Sequence, residues 1–161
     1  MEPIDPSKFS LDNLLENKVI TILSWDYVIE HGTNWDEDEV ELEEITRCHK
    51  EYMCYRDDMG YPHDMRDYSG LFSGVLYEIY GDLTLIYYMH YKGGLRDGAD
   101  VEFYDSGKVK NYFVWKNNRV VGKSYVWYEN GKIATINDWD QREYVDFDEQ
   151  GNITKQGKME Y

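Results

Sequence analysis

A chain of 161 residues with 32 Asp and Glu against 17 Lys and Arg carries a formal net charge of −15. The length suits one domain with a continuous core, and a field of that sign repels nucleic acid and anionic lipid while raising encounter rates with basic proteins. There is no apolar run of about 18 residues, no basic or apolar leader in Met1-Glu2-Pro3-Ile4-Asp5, and only two cysteines, Cys48 and Cys54, in close succession; the expectation is a reduced cytoplasmic protein without a membrane span, secretory signal, disulfide framework or zinc site.

The charge is uneven. Residues 1–67 hold 18 acidic against 6 basic side chains, and residues 68–161 hold 14 against 11. The chain therefore reads as an acidic N-terminal segment, 1–67, followed by a nearly neutral segment, 68–161, the two forming one structural unit.

Ser10 ahead of Leu11, Leu14 and Leu15 predicts a capped short helix that Asn17 ends. Lys18 to Leu23 is rich in β-branched residues and predicts a buried strand, continued past a bend by Trp25, Tyr27, Val28 and Ile29. Glu30-His31-Gly32-Thr33-Asn34 reads as loop. The apolar area of this section suits a cap over the open end of a sheet. Asp36 to Glu44 holds seven acids in nine residues. As a helix over 36–50 it has Asn34 as its cap, acids complementing the macrodipole, and Ile45, Cys48 and Tyr52 facing inward. The competing reading makes Val40–Arg47 and Glu51–Arg56 two strands that turn at His49-Lys50. Asp57 to Asp64 reads as a loop.

From Gly74 to Trp139 the sequence repeats every 24 residues without insertion: Gly74, Gly98, Gly122; Tyr80, Tyr104, Tyr128; Leu85, Val109, Ile133; Tyr91, Trp115, Trp139. Such self-similarity marks units that cannot bury their apolar sides alone and need their neighbours. Each unit alternates as a β-hairpin does, with turns at Gly81-Asp82, Asp105-Ser106-Gly107 and Glu129-Asn130-Gly131-Lys132, where Asn-Gly suits a type I′ turn. Lys92-Gly93-Gly94, Lys116-Asn117-Asn118 and Asp140-Gln141 link one hairpin to the next. The recurring glycine predicts a tight bend or a close backbone approach at the start of a strand. The Tyr80, Tyr104, Tyr128 and Tyr91, Trp115, Trp139 columns are expected to pack unit against unit. A shorter fourth unit follows, Tyr144 to Phe147 and then Asp148 to Ile153, with Lys155 to Tyr161 as a loose tail.

Gly, five residues, Tyr, four residues, then an aliphatic residue, with the Gly-Lys turns of Asp105-Ser106-Gly107-Lys108 and Glu129-Asn130-Gly131-Lys132, resembles the MORN-variant repeats of bacterial YwqK-type proteins. The resemblance covers about residues 68 to 155. It departs in the first unit, which lacks the Gly-Lys turn, and in the last, which has Arg142 or Glu143 for the leading glycine. Members of that family are often labelled antitoxins or immunity proteins. The expected fold is mainly β with a small α part, an open antiparallel sheet of stacked 24-residue MORN-like hairpins with an N-terminal α/β cap.

Chemistry-bearing motifs are scarce. His31, His49, His63 and His90 have no metal-ligand spacing, Cys48 beside His49 fits a structural cysteine better than a nucleophile and base, and Lys92-Gly93-Gly94 lacks the features of a phosphate loop. No cofactor and no catalysis are expected. The charge and aromatics point instead to a protein partner, a basic toxin or nuclease. Asp36, Glu37, Asp38, Glu39, Glu41, Asp57 and Asp58 would steer it, and Tyr88 and Tyr112, on one strand face, would anchor it. The resemblance implies an immunity protein or antitoxin. The alternatives are a phage-type nucleic-acid mimic that inhibits a defence nuclease, or an oligomerising scaffold such as a homodimer; direct nucleic-acid or membrane binding is disfavoured by charge.

Overall fold

The computed structural model describes residues 4–34, 54–56, 62–64, 73–81 and 84–160. Helical structure comprises a 3-10 turn (Pro6–Phe9), α1 (Leu11–Glu16) and α2 (Trp25–His31). The strands are β1 (Thr33–Asn34), β2 (Cys54–Arg56), β3 (Pro62–Asp64), β4 (Gly74–Ile79), β5 (Leu85–Lys92), β6 (Leu95–Phe103), β7 (Val109–Lys116), β8 (Arg119–Trp127), β9 (Ile133–Asp138), β10 (Glu143–Phe147) and β11 (Ile153–Lys158). Nine of them form one sheet in the order β1-β4-β5-β6-β7-β8-β9-β10-β11, and β2 pairs with β3 apart from it. All neighbours in the large sheet run antiparallel except β1, which lies parallel to β4. The sheet is thus mixed rather than purely antiparallel.

Strand alternation gives the sheet two different faces. Tyr77, Tyr88, Val101, Tyr112, Tyr125, Ile136, Val145 and Gln156 stand opposite one another across eight strands. This face meets the N-terminal segment, whose Leu14, Ile20 and Val28 are buried in the same core as Tyr88, Val101, Tyr125, Trp127, Ile133 and Phe147. Three hydrogen bonds fix the cover: Leu11 N–H to Gly131 O at 3.0 Å, Trp127 Nε1–H to Phe9 O at 3.0 Å, and Leu23 N–H to the Tyr88 hydroxyl at 2.9 Å. The described part of the segment lies over a face rather than over the end of the sheet; among the described residues only β1 sits on the β4 edge.

Ser10 caps α1 as its position requires, accepting from Asn13 N at 3.2 Å, and Asn17 ends it. Lys18–Leu23 is not a strand. Lys18 turns into the left-handed region (φ 56), and the N–H groups of Val19 and Ile20 both return to Leu14 O, so the α1 terminus uses the donors that a ladder would need. Trp25–His31 is a helix rather than a continuing strand, because Ser24 accepts from Tyr27 N, Asp26 complements the first turn, and Val28 alone is buried. The loop expected at Glu30–Asn34 is divided between this helix and β1. The helix and hairpin readings of residues 36–50 lie outside the described residues, as does the 67/68 boundary. Pro62–Asp64, read as loop, pairs with Cys54–Arg56, Tyr55 standing opposite His63.

The turns exchange places with expectation. Asn130 is absent from the positive-φ residues while Gly131 has φ 86, and Gly131 N–H bonds Tyr128 O at 2.9 Å. This is a three-residue loop built on a type I turn with a left-handed glycine, repeated at Gly107 and Gly151. Two-residue turns with positive φ at both centres, the type I′ geometry, occur instead at Gly93-Gly94 and Asn117-Asn118. Those links are therefore hairpin turns themselves, and the array is one continuous meander. Gly98 and Gly122 lie within β6 and β8, where the pairing register shifts, rather than at strand starts. At Gly98 (φ +117) a Cβ would fall 2.9 Å from His90 Cβ, so the backbone there approaches its neighbour too closely for any side chain.

The repeat columns have distinct jobs. Leu85, Val109 and Ile133 are buried in the core. The hydroxyls of Tyr80, Tyr104 and Tyr128 donate to the carbonyls of Phe103, Trp127 and Phe147, at 3.4, 2.5 and 2.8 Å, so each unit is hydrogen-bonded to the next. Tyr91 is buried, while the indoles of Trp115 and Trp139 donate to Asp100 and Ser124. The supposed tail is partly strand: Lys155 to Lys158 pair with β10.

Candidate protein-binding surface

On the other face, Glu78, Tyr87, Glu102, Asn111, Val126, Thr135, Asp146 and Lys155 form a second transverse row. Apart from Val126 the row is polar, and six of its members are joined in pairs. The Tyr87 hydroxyl donates to Glu78 Oε1 at 3.1 Å, Asn111 Nδ2 to Glu102 Oε2 at 2.6 Å, and Thr135 Oγ1 to Asp146 Oδ1 at 2.9 Å. Beside it Leu76, Met89, Asp100 and Phe113 stand in register. From β5 to β7 these residues are half-buried, open to a partner without being fully solvated.

The centre of this face is a groove of about 230 Å³ lined by Tyr87, Met89, Asp100, Glu102, Asn111 and Phe113. Its chemistry follows from β6, which places Asp100 and Glu102 two residues apart and hence on one side. Burial pushes the Asp100 carboxyl above the usual carboxylate range, against the lowering effect of the Trp115 indole N–H, which donates to Asp100 Oδ2 at 3.0 Å, and of nearby Arg96; Glu102 adds to the upward push. The Arg96 guanidinium lies 4.7 Å from the centre of the Trp115 ring, a cation–π stack.

The residues singled out in sequence fall elsewhere. Tyr88 is fully buried beneath the N-terminal cover, and burial pushes its hydroxyl up to about 12. Tyr112 is half-buried on that same covered face, packed against the core. The face that carries both tyrosines is sealed by residues 9–28, so Tyr88 is a core residue rather than an exposed anchor. Asp36, Glu37, Asp38, Glu39, Glu41, Asp57 and Asp58 lie outside the described residues. Tyr87 and Phe113, the immediate sequence neighbours of Tyr88 and Tyr112, are the ones that line the groove; a one-residue change of parity exchanges faces. Trp25, Tyr27 and Ile29, which the sequence pattern places in a strand, project from α2 at 43%, 47% and 41% exposure.

A second cleft, about 400 Å³, opens beside β10 and β11. Ile4, Phe9, Ile136 and Val145 supply its apolar lining, and Lys123, Asp138, Glu143 and Lys158 its charges, with Lys158 Nζ 2.6 Å from Glu143 Oε1. Its charges balance, which gives it less electrostatic selectivity than the acidic groove. Among the described residues no three His, Cys, Asp or Glu are grouped to hold a metal ion, and no helix is long and apolar enough to cross a membrane. Comparisons with protein-family models, curated proteins and solved structures find no match to this chain.

Proposed function

We propose that this chain is a protein-binding inhibitor, an immunity protein or antitoxin that neutralises a basic, nuclease-like toxin by direct contact and carries out no catalysis of its own. The observation that carries the reading is the groove on the second sheet face, where Asp100 and Glu102 share the lining with the aromatic rings of Tyr87 and Phe113. Carboxylates steer a basic partner, and rigid half-buried aromatics provide contact area at low entropic cost. The acidic run from Asp36 to Glu44 adds to the field. The resemblance of the 24-residue units to MORN-variant YwqK-type repeats, as an array of stacked hairpins with an N-terminal cap, supports the same class, with the cytoplasm as its place of action. A nucleic-acid mimic encoded by a phage uses the same surface against a defence nuclease.

The test is capture of a basic enzyme from the native host, followed by stoichiometric inhibition of its activity by the purified chain. Complex formation weakens steeply as ionic strength rises, and alanine at Asp36, Glu37, Asp38 and Glu39 together lowers affinity without unfolding the chain. Capture with no inhibition, or inhibition indifferent to salt, rejects the reading. A second reading, a self-assembling scaffold, is favoured by Trp25, Tyr27 and Ile29 projecting from α2; light scattering of the purified chain shows a dimer or larger species if it is right.

A further inference from the structure

Among the described residues, the groove turns most of its hydrogen-bond donors onto its own carboxylates. Asn111 Nδ2 is turned onto Glu102 Oε2, and the Trp115 indole N–H onto Asp100 Oδ2. Three acceptors are left over, Asp100 Oδ1, Glu102 Oε1 and Asn111 Oδ1, none taking a hydrogen bond from the described residues, against one remaining donor, the second N–H of Asn111 Nδ2. Tyr87, Met89 and Phe113 supply apolar and aromatic walls to a space of about 230 Å³. An anion meets two carboxylates there, with a single amide N–H among the described lining residues to set against them. A cationic group with several N–H donors on an apolar stem satisfies acceptors and walls together. The same face already shows the pairing within the chain: the Arg96 guanidinium stacks on Trp115, whose indole is bonded to Asp100. A planar guanidinium presents five donors in a fork matched to carboxylates and stacks on rings, which an ammonium does less well.

We infer that the groove is a receptor for one arginine side chain of the protein partner, seated between Tyr87 and Phe113 with its guanidinium on Asp100 and Glu102. The inference rests on the protein-binding reading and specifies the residue that such a partner must present. The partner's arginine enters as a substitute for lost water, and both carboxylates gain a counter-charge of the kind that Arg96 supplies to Asp100.

The test uses the whole chain and N-acetyl-arginine amide, with N-acetyl-citrulline amide as the uncharged isostere. Proton–nitrogen NMR follows the Asn111 side-chain amide and the Trp115 indole. Arginine amide shifts both signals saturably, citrulline amide binds about tenfold more weakly or not at all, and E102Q or D100N reduces arginine binding about tenfold; the spectra of the two variants report that each remains folded. Equal binding of both probes, or shifts that avoid Asn111 and Trp115, overturns the inference. The two claims fail separately: saturable arginine binding in a chain that inhibits no enzyme leaves the groove and removes the inhibitor, whereas an inhibited enzyme whose affinity ignores both E102Q and D100N leaves the inhibitor and removes the groove.

Discussion

Trp127 donates its indole N–H to the carbonyl of Phe9, 3.0 Å away and 118 residues earlier in the chain. Its ring is wholly buried, stacks on Tyr125 with centroids 5.8 Å apart, and belongs to the core that receives Leu14, Ile20 and Val28. One side chain thus joins the last full repeat to the segment that seals the sheet.

Trp127→Phe keeps an aromatic ring but leaves a void and an unpaired Phe9 carbonyl. A loss of about 2 to 3 kcal/mol is expected from cavity and hydrogen-bond contributions together. Urea denaturation measures it. If the N-terminal segment were only loosely attached, the midpoint would hardly move.

Tyr88 gives the fold an alkaline limit. Its hydroxyl accepts from Leu23 N–H, and burial raises its pKa from 10.0 to about 12. The folded state therefore favours the neutral phenol: its contribution is complete below pH 10 and is lost as the pH climbs through the folded value near 12. Tyr88→Phe removes that share of the alkaline decline but leaves the Leu23 donor without its acceptor, at about 1 kcal/mol near neutral pH. Thermal melts from pH 7 to 11 separate the two effects.

Gly98 and Gly122 occupy the same column yet respond unequally. Alanine at Gly98 meets both a positive φ of 117 and His90 Cβ at 2.9 Å, whereas at Gly122 (φ 66) nothing lies within 4 Å of the new methyl. Gly98→Ala is expected to cost about 3 kcal/mol and Gly122→Ala about 1 kcal/mol. Parallel denaturation curves decide whether contact adds to strain.

Asp100 sits in the groove against its own solvation. Its raised pKa means that the folded state holds the proton more tightly than the unfolded chain. The penalty is absent in acid, develops as pH rises past the unfolded value, and is fully present at neutral pH. Asp100→Asn keeps an acceptor for the Trp115 indole and removes the charge, so its melting temperature is equal to or above that of the parent at pH 7, with the advantage shrinking in acid. A destabilised D100N at neutral pH would show that the carboxylate is held by favourable charge contacts instead.

Much of the sheet was legible because its cues are local and periodic. Tyr104, Val109 and Trp115 recur at one spacing, and alternation assigns each to a face. The cover was not. Lys18 to Leu23 has a strand's composition, but its donors go to Leu14 O and the Tyr88 hydroxyl, partners that only tertiary structure brings near. Trp25, Tyr27 and Ile29 alternate as strand residues do, while a single hydroxyl at Ser24 starts a helix. The groove was missed by one position on each of two strands: Tyr87 and Phe113, not Tyr88 and Tyr112, face outward, and which side would be covered depended on where the N-terminal segment came to rest.

The reaching tyrosines also set the loop after β10 apart from the earlier ones. Tyr80, Tyr104 and Tyr128 each extend a hydroxyl to the backbone of the following unit, but Asp148 occupies the corresponding place in the last loop, where its N–H bonds Asn152 O at 2.8 Å. Its short carboxylate bends home, accepting from the backbone of Gln150 and Asn152. A link that grasps only itself offers no hold to a successor. Replacing that aspartate with tyrosine would tell whether a longer arm alone is enough to make the grip outward.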